Sequence, residues 1–133
     1  MSLENVEVIR RSFEAVDRGD LDAMAAEIGA GFEYVATGTV VGLADTYRGA
    51  QGFRRFLEWF WVEFDEPNIE IRSLIAAGDE VVTWVEFRGR GAQSGAETSM
   101  DLWHVWTLRA GKVVRGRAFT SRDEALQTAG LSE

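Results

Sequence analysis

Cysteine is absent from the 133-residue sequence, which excludes disulfides, thiolate nucleophiles and cysteine-held zinc or iron–sulfur centres. Histidine occurs once, as His104, so zinc sites of the HExxH kind are excluded too, and no metal or other cofactor is implied. Proline also occurs once, leaving glycine to punctuate the chain. No stretch approaches the roughly 20 apolar residues of a membrane-spanning helix. The start, Met-Ser-Leu-Glu-Asn-Val-Glu, lacks the basic residues and apolar segment of an export signal, so a cytoplasmic protein that does not engage membranes is expected. Cations are few: 14 Lys and Arg stand against 22 Asp and Glu, and the net charge of -8 argues against nucleic-acid phosphates or anionic membranes as partners. Pairs such as Arg10-Arg11 and Arg54-Arg55 read as solvated helix faces.

What is present suffices for one domain, residues 1–133, with 46% hydrophobic residues to build a core. Ser2 is placed to cap a first helix, in which Val6, Ile9, Phe13 and Val16 recur at helical spacing before Arg18-Gly19. Asp20 caps a second, shorter helix with Leu21, Met24, Ala25 and Ile28 on its apolar side, stopped by Gly29-Ala30-Gly31. A short strand follows over 32–36, then a polar loop over 37–49 long enough to border a pocket. From Ala50 a third helix carries Phe53, Phe56, Leu57, Phe60, Trp61 and Phe64 on one broad face, with Pro67 as its end. Strands are expected over 68–76, 80–90, 97–108 and 112–120, and Ser121 with Glu124 three residues on caps a last short helix. The fold class is therefore α+β: three N-terminal helices packed on a curved, mostly antiparallel sheet, in the order ααβαββββ plus a short C-terminal helix.

Alternation along the strands defines two faces. Leu102, His104, Trp106 and Leu108 point one way and Trp103, Val105 and Thr107 the other; Val81, Thr83, Val85 and Phe87 likewise alternate with Val82, Trp84, Glu86 and Arg88. On the last strand Val114, Gly116, Ala118 and Thr120 would face inward, and Arg115, Arg117 and Phe119 outward. Both faces are rich in apolar groups. Trp84, Trp103 and Val105 would be exposed together on a monomer, which predicts a homodimer through this sheet face.

The order of elements, together with Arg18-Gly19-Asp20-Leu21-Asp22, Tyr47-Arg48-Gly49 and the run from His104 to Val113, resembles the SnoaL-like group of the NTF2-like superfamily, a cone-shaped fold. The resemblance spans nearly the whole chain and speaks for architecture more than for chemistry, because the glycines and aspartates end and cap elements. It implies a pocket like those of polyketide cyclases and ketosteroid isomerase. Aligned on the isomerase, His104 falls where that enzyme holds its oxyanion-hole aspartate, Ser12 or Phe13 where its tyrosine stands, and Ala36 or Thr37 where its base stands. Without a carboxylate base, 3-oxosteroid isomerisation is rejected.

His104 is the candidate catalytic residue, as a hydrogen-bonding partner of a ligand carbonyl or as a general base; the competing reading is a core histidine satisfied by its surroundings. Tyr34, Thr83 and Trp106 would share the inward surface as polar contacts, with Val85, Phe87 and Leu102 as walls. Small residues at Gly116 and Ala118 would leave space for the ligand. Asp101 lies on the opposite face by parity, and no inward carboxylate is placed. Trp59, off the main helical stripe, either borders the pocket mouth or is partly exposed. Arg88-Gly89-Arg90-Gly91 sits at a strand-to-strand bend, the wrong context for a phosphate loop. Two functions remain: a pocket protein that binds or transforms a small hydrophobic oxygenated molecule, as an enzyme by proton transfer next to a carbonyl in the manner of a cyclase or isomerase, or a non-catalytic ligand-binding or dimerisation module. A cavity of a few hundred cubic ångströms containing His104 would favour the first and a packed interior the second.

Overall fold

A computed structural model describes residues 2–36 and 46–131. The chain runs α1 (Ser2–Asp17), α2 (Leu21–Ala25), β1 (Ile28–Val35), β2 (Thr46–Arg48), α3 (Gly49–Glu63), β3 (Phe64–Ala77), β4 (Glu80–Gly91), β5 (Glu97–Arg109), β6 (Lys112–Phe119) and α4 (Arg122–Thr128). Among the described residues, six strands form one mixed sheet in the order β2-β1-β6-β5-β4-β3. Every neighbouring pair is antiparallel except β1 with β6.

The class is α+β as expected, and two helices precede the first strand as expected, but the order differs from the sequence reading in one element: a second strand, β2, stands between β1 and α3, so the third helix follows two strands. Within the segment expected to be a loop, Thr46, Tyr47 and Arg48 pair with Val35, Tyr34 and Glu33; residues 37–45 of it, including Thr37, lie outside the described residues. Ile28, assigned to the second helix, begins β1 instead. The Gly29-Ala30-Gly31 segment forms an irregular stretch of β1, with Gly31 at a φ of +76° that an L side chain adopts only with strain. Likewise α3 stops at Glu63, and Phe64 already belongs to β3. Pro67 lies inside that edge strand, where the register slips between Asp65 and Asn68, so its missing N–H interrupts no regular ladder. Ser2, expected as a cap, is the first residue of α1. Asp20 does cap α2, accepting from the Ala23 N–H at 3.0 Å, and Ser121 caps α4, accepting from the Glu124 N–H at 3.3 Å.

Register slips in β1, β3 and the β5–β6 pair bend the sheet. Its inner face, with α1 and α3 against it, holds the larger core, including Ile9, Phe13, Phe53, Phe56, Val85 and Phe87. On the outer face, α4 lays Ala125 and Leu126 over Val82, Trp103 and Val105. This overturns the argument for an exposed apolar patch. Trp103 is 9% and Val105 0% exposed within one chain, and half-buried Trp84 stacks on Trp103 at 5.2 Å while its indole N–H donates to Asp101 Oδ1 at 3.1 Å.

Candidate functional site

Between the inner sheet face and helices α1 and α3 lies a cavity of about 80 Å³. At the roughly 10–15 Å³ that one water requires, it has room for several waters, less than the few hundred cubic ångströms of an ordinary ligand pocket. Its walls are almost wholly apolar. α1 supplies Ile9, Phe13 and Val16, α3 supplies Phe53, Phe56, Leu57 and Trp61, and the sheet supplies Val85, Phe87 and Leu102. Trp61, 37% exposed, and half-buried Pro67 and Asp17 mark the mouth, while Tyr34, His104 and Trp106 form the closed end.

At that end strand alternation does what the sequence implies. Thr83, His104 and Ala118 lie opposite one another across β4, β5 and β6, and Val81, Trp106 and Gly116 form the next rank. The Tyr34 hydroxyl and His104 Nε2 are 3.0 Å apart. The imidazole stacks on the Trp106 indole with centroids 4.9 Å apart, and the Phe13 ring stands 6.0 Å away. His104 is 4% exposed, and its Nδ1 is buried with no hydrogen-bond partner among the described residues. Burial without a counter-charge lowers the imidazole pKa to about 3 and pushes the Tyr34 phenol well above its usual range, so both groups are neutral at physiological pH.

The pair therefore has two exchangeable hydrogens, of which one lies between its partners. If Tyr34 donates, Nδ1 carries the other; if Nε2–H donates, the hydrogen stays on the Tyr34 oxygen. Either tautomer leaves one donor and one acceptor for a third group.

Of the residues assigned to the site, His104, Tyr34, Val85, Phe87, Leu102 and Trp106 line the cavity. Thr83, Gly116 and Ala118 do not; they stand behind it. Thr83 Oγ1 accepts the Trp106 indole N–H at 3.0 Å, so that donor is already used. Gly116 leaves no empty space, because a Cβ there would collide with the Trp106 ring and crowd Tyr34. The parity assigned to Val114 also fails: Val113 is the buried, cavity-lining residue, owing to the slip that sets Leu108 opposite Val113 but Thr107 opposite Arg115. Trp61 rather than Trp59 borders the mouth; Trp59 is half-buried against Phe64.

Sequence reasoning missed the one carboxylate among the described residues of the lining. Asp17 ends α1, and its Oδ1 accepts from the Ile69 N–H at 2.8 Å and the Asn68 amide at 3.0 Å. Positions 9, 13 and 17 share one helix face, so the signal was present. Ser12 also lines the cavity but spends its hydroxyl on the Val8 carbonyl at 2.8 Å. Among the described residues no group of three or more His, Asp or Glu side chains is placed to hold a metal ion, and no helix is long and apolar enough to cross a membrane.

A sequence model for SnoaL-like domains matches residues 9–116. No functionally curated protein matches the chain. Among solved structures, an NTF2-like protein of Burkholderia thailandensis E264 is 26% identical with a TM-score of 0.80, over 96% of this chain and 98% of that one. A Jannaschia sp. CCS1 protein assigned as a SnoaL-like polyketide cyclase is 21% identical, TM-score 0.77, over 96% and 92%. TerC, co-crystallised with polyporic acid, is 22% identical, TM-score 0.78, over 96% and 98%.

Proposed function

Starting from the fact that the chain belongs to the SnoaL-like domain family, we propose that its cavity receives a small, largely apolar molecule carrying an oxygen at the end that meets Tyr34 and His104. The observation that carries this is the unpartnered Nδ1 of His104 beside an already paired Nε2. A buried polar atom without a partner costs on the order of 1–3 kcal/mol, and a ligand oxygen placed there removes that cost. A hydroxyl, which donates and accepts, or a carbonyl, which accepts, suits the hydrogen that either tautomer leaves available. That TerC, of the same fold, is co-crystallised with polyporic acid agrees with a small organic molecule as the ligand.

In turnover, proton transfer next to a carbonyl needs a base to take the proton as well as a donor to the carbonyl oxygen; the closed end supplies the donor, and the carboxylate in the described lining is Asp17. The remaining donor hydrogen steadies negative charge that develops on the carbonyl oxygen, in a site dry enough to strengthen the interaction. An imidazole whose pKa is held near 3 is a weak base at neutral pH, so His104 acts as a neutral hydrogen-bonding group and not as an imidazolium. Thr83 and Gly116 are positioning residues for Trp106 in this reading. The second reading, a binding module without turnover, draws on the small volume of the cavity and on that weak basicity.

Calorimetry with p-cresol against toluene tests the proposal, since the two differ by one hydroxyl. The wild type is expected to favour p-cresol by about tenfold, roughly 1.4 kcal/mol, and Tyr34→Phe to lose most of that preference. Equal affinity for the two, or a preference unaltered in both Tyr34→Phe and His104→Gln, would overturn it. Native mass spectrometry of freshly purified protein, with identification of any copurifying molecule, then separates the two readings by supplying the compound to be assayed for turnover.

A further inference from the structure

Among the described residues of the cavity lining, two polar side chains are spent within the protein. Ser12 is bonded to its own helix and Trp106 to Thr83. What remains is the Tyr34–His104 pair at the closed end and, at the mouth, the Trp61 indole N–H and the Asp17 carboxylate, the one charged side chain among the described residues of the lining. Phe13, whose ring faces His104, and Asp17 lie one helical turn apart on α1, a rise of about 6 Å, which is the scale of a single aromatic ring with a substituent at each end.

Asp17 is an awkward choice for stability alone. A carboxylate in the last turn of a helix faces the negative end of the helix dipole, and α1 has no basic residue in that turn to offset it. Asp17 has no ion-pair partner among the described residues. The bonds from Ile69 and Asn68 both go to Oδ1 and fix the carboxylate at the cavity rim.

We propose that Asp17 is a specificity-determining residue: the ligand is two-ended, with an oxygen seated against Tyr34 and His104 and a cationic or hydrogen-bond-donating group at Asp17, and molecules bearing an anion at that outer end are rejected. This rests on the cavity being the ligand site. A protonated amine at the mouth would also meet the exposed Trp61 face, a favourable setting for a cation.

The test uses three near-isosteric phenols that differ only in outer charge: tyramine, 4-(2-hydroxyethyl)phenol and 4-hydroxyphenylacetate. Wild-type protein is expected to bind them in that order, with at least about tenfold between the first and last. Asp17→Asn keeps an oxygen acceptor for the Ile69 N–H while removing the charge, so its thermal midpoint should stay close to wild type while the spread contracts to within about threefold, chiefly through tighter binding of the anion. A merely structural Asp17 would not produce that gain. Absence of any charge preference in the wild type overturns the inference. So does a preference that persists in Asp17→Asn, which would assign it to the overall charge of -8. If all three bind and respond to Tyr34→Phe while Asp17→Asn changes nothing, only this inference fails; if none binds, the cavity reading fails with it.

Discussion

The two faces of β5 solve the problem of buried polarity in opposite ways. Inward, His104 has one hydrogen-bonding neighbour, one orphaned nitrogen and no counter-charge, and burial holds its pKa near 3, keeping it neutral. Outward, Ser99 donates to Glu86 on the adjoining strand, which also receives Arg72 and Arg88; these bonds, Arg88 first, hold its pKa near 2, keeping it charged. Both pKa values fall, yet one shift records missing partners and the other their abundance. A saturated cluster has nothing left to offer a ligand, whereas an undersatisfied pair in a cavity does, which is why function is assigned to the inner face.

The contrast breaks first if damage to one face reaches the other. Leu126→Ala, which opens the outer core under α4, is expected to cost about 2–5 kcal/mol in chemical denaturation while leaving p-cresol affinity intact in the folded protein. Gly116→Ala acts on the inner side: forcing the Trp106 ring away should cost about 1–3 kcal/mol and lower p-cresol affinity as well. Loss of affinity in the first variant, or its preservation in the second, would dissolve the division of labour.

Titration sharpens the comparison further. Because His104 has a lower pKa folded than unfolded, the unfolded chain binds the extra proton, so stability falls as pH drops from about 6.5 towards 3. Denaturation between pH 6 and 5 should show a slope approaching about 1.4 kcal/mol per pH unit, and His104→Gln should flatten it. The smallest effect is expected for Glu86→Gln, whose partners are solvent-screened: a slight fall in thermal midpoint at pH 7 that shrinks with added salt. The Glu86 contribution is present above about pH 4.5 and disappears as pH falls towards 2, so wild type and variant should converge in acid.

How far the sequence could be read depended on where period two holds. Along β4 and most of β5 it is unbroken, so Val85, Phe87, Leu102, His104 and Trp106 were assigned to the correct face. It fails at the β5–β6 slip, where an extra residue on one strand exchanges Val113 for Val114. β2 escaped because three residues carry no pattern of their own; pairing with β1 makes them a strand. Asp17 escaped because a charged residue on an apolar helix face was not counted as part of that face. The apolar positions Ala125 and Leu126 were visible, but the surface they cover was not, and that error produced the exposed-patch argument for a dimer. Family membership was legible because it rests on the order of elements and the motifs that join them.

The parallel pairing of β1 with β6 has a consequence for how the protein is made. Residues 28–35 must wait for residues 112–119 before the sheet closes, and Tyr34 meets a histidine 70 positions away. During synthesis from the N-terminus, strands β3 to β5 can pair first, but the closed end of the cavity cannot exist until β6 has left the ribosome. The closed end of the cavity is therefore expected to be among the last features to form, and the side of β1 that faces β6 the part that stays unpaired longest in a nascent chain.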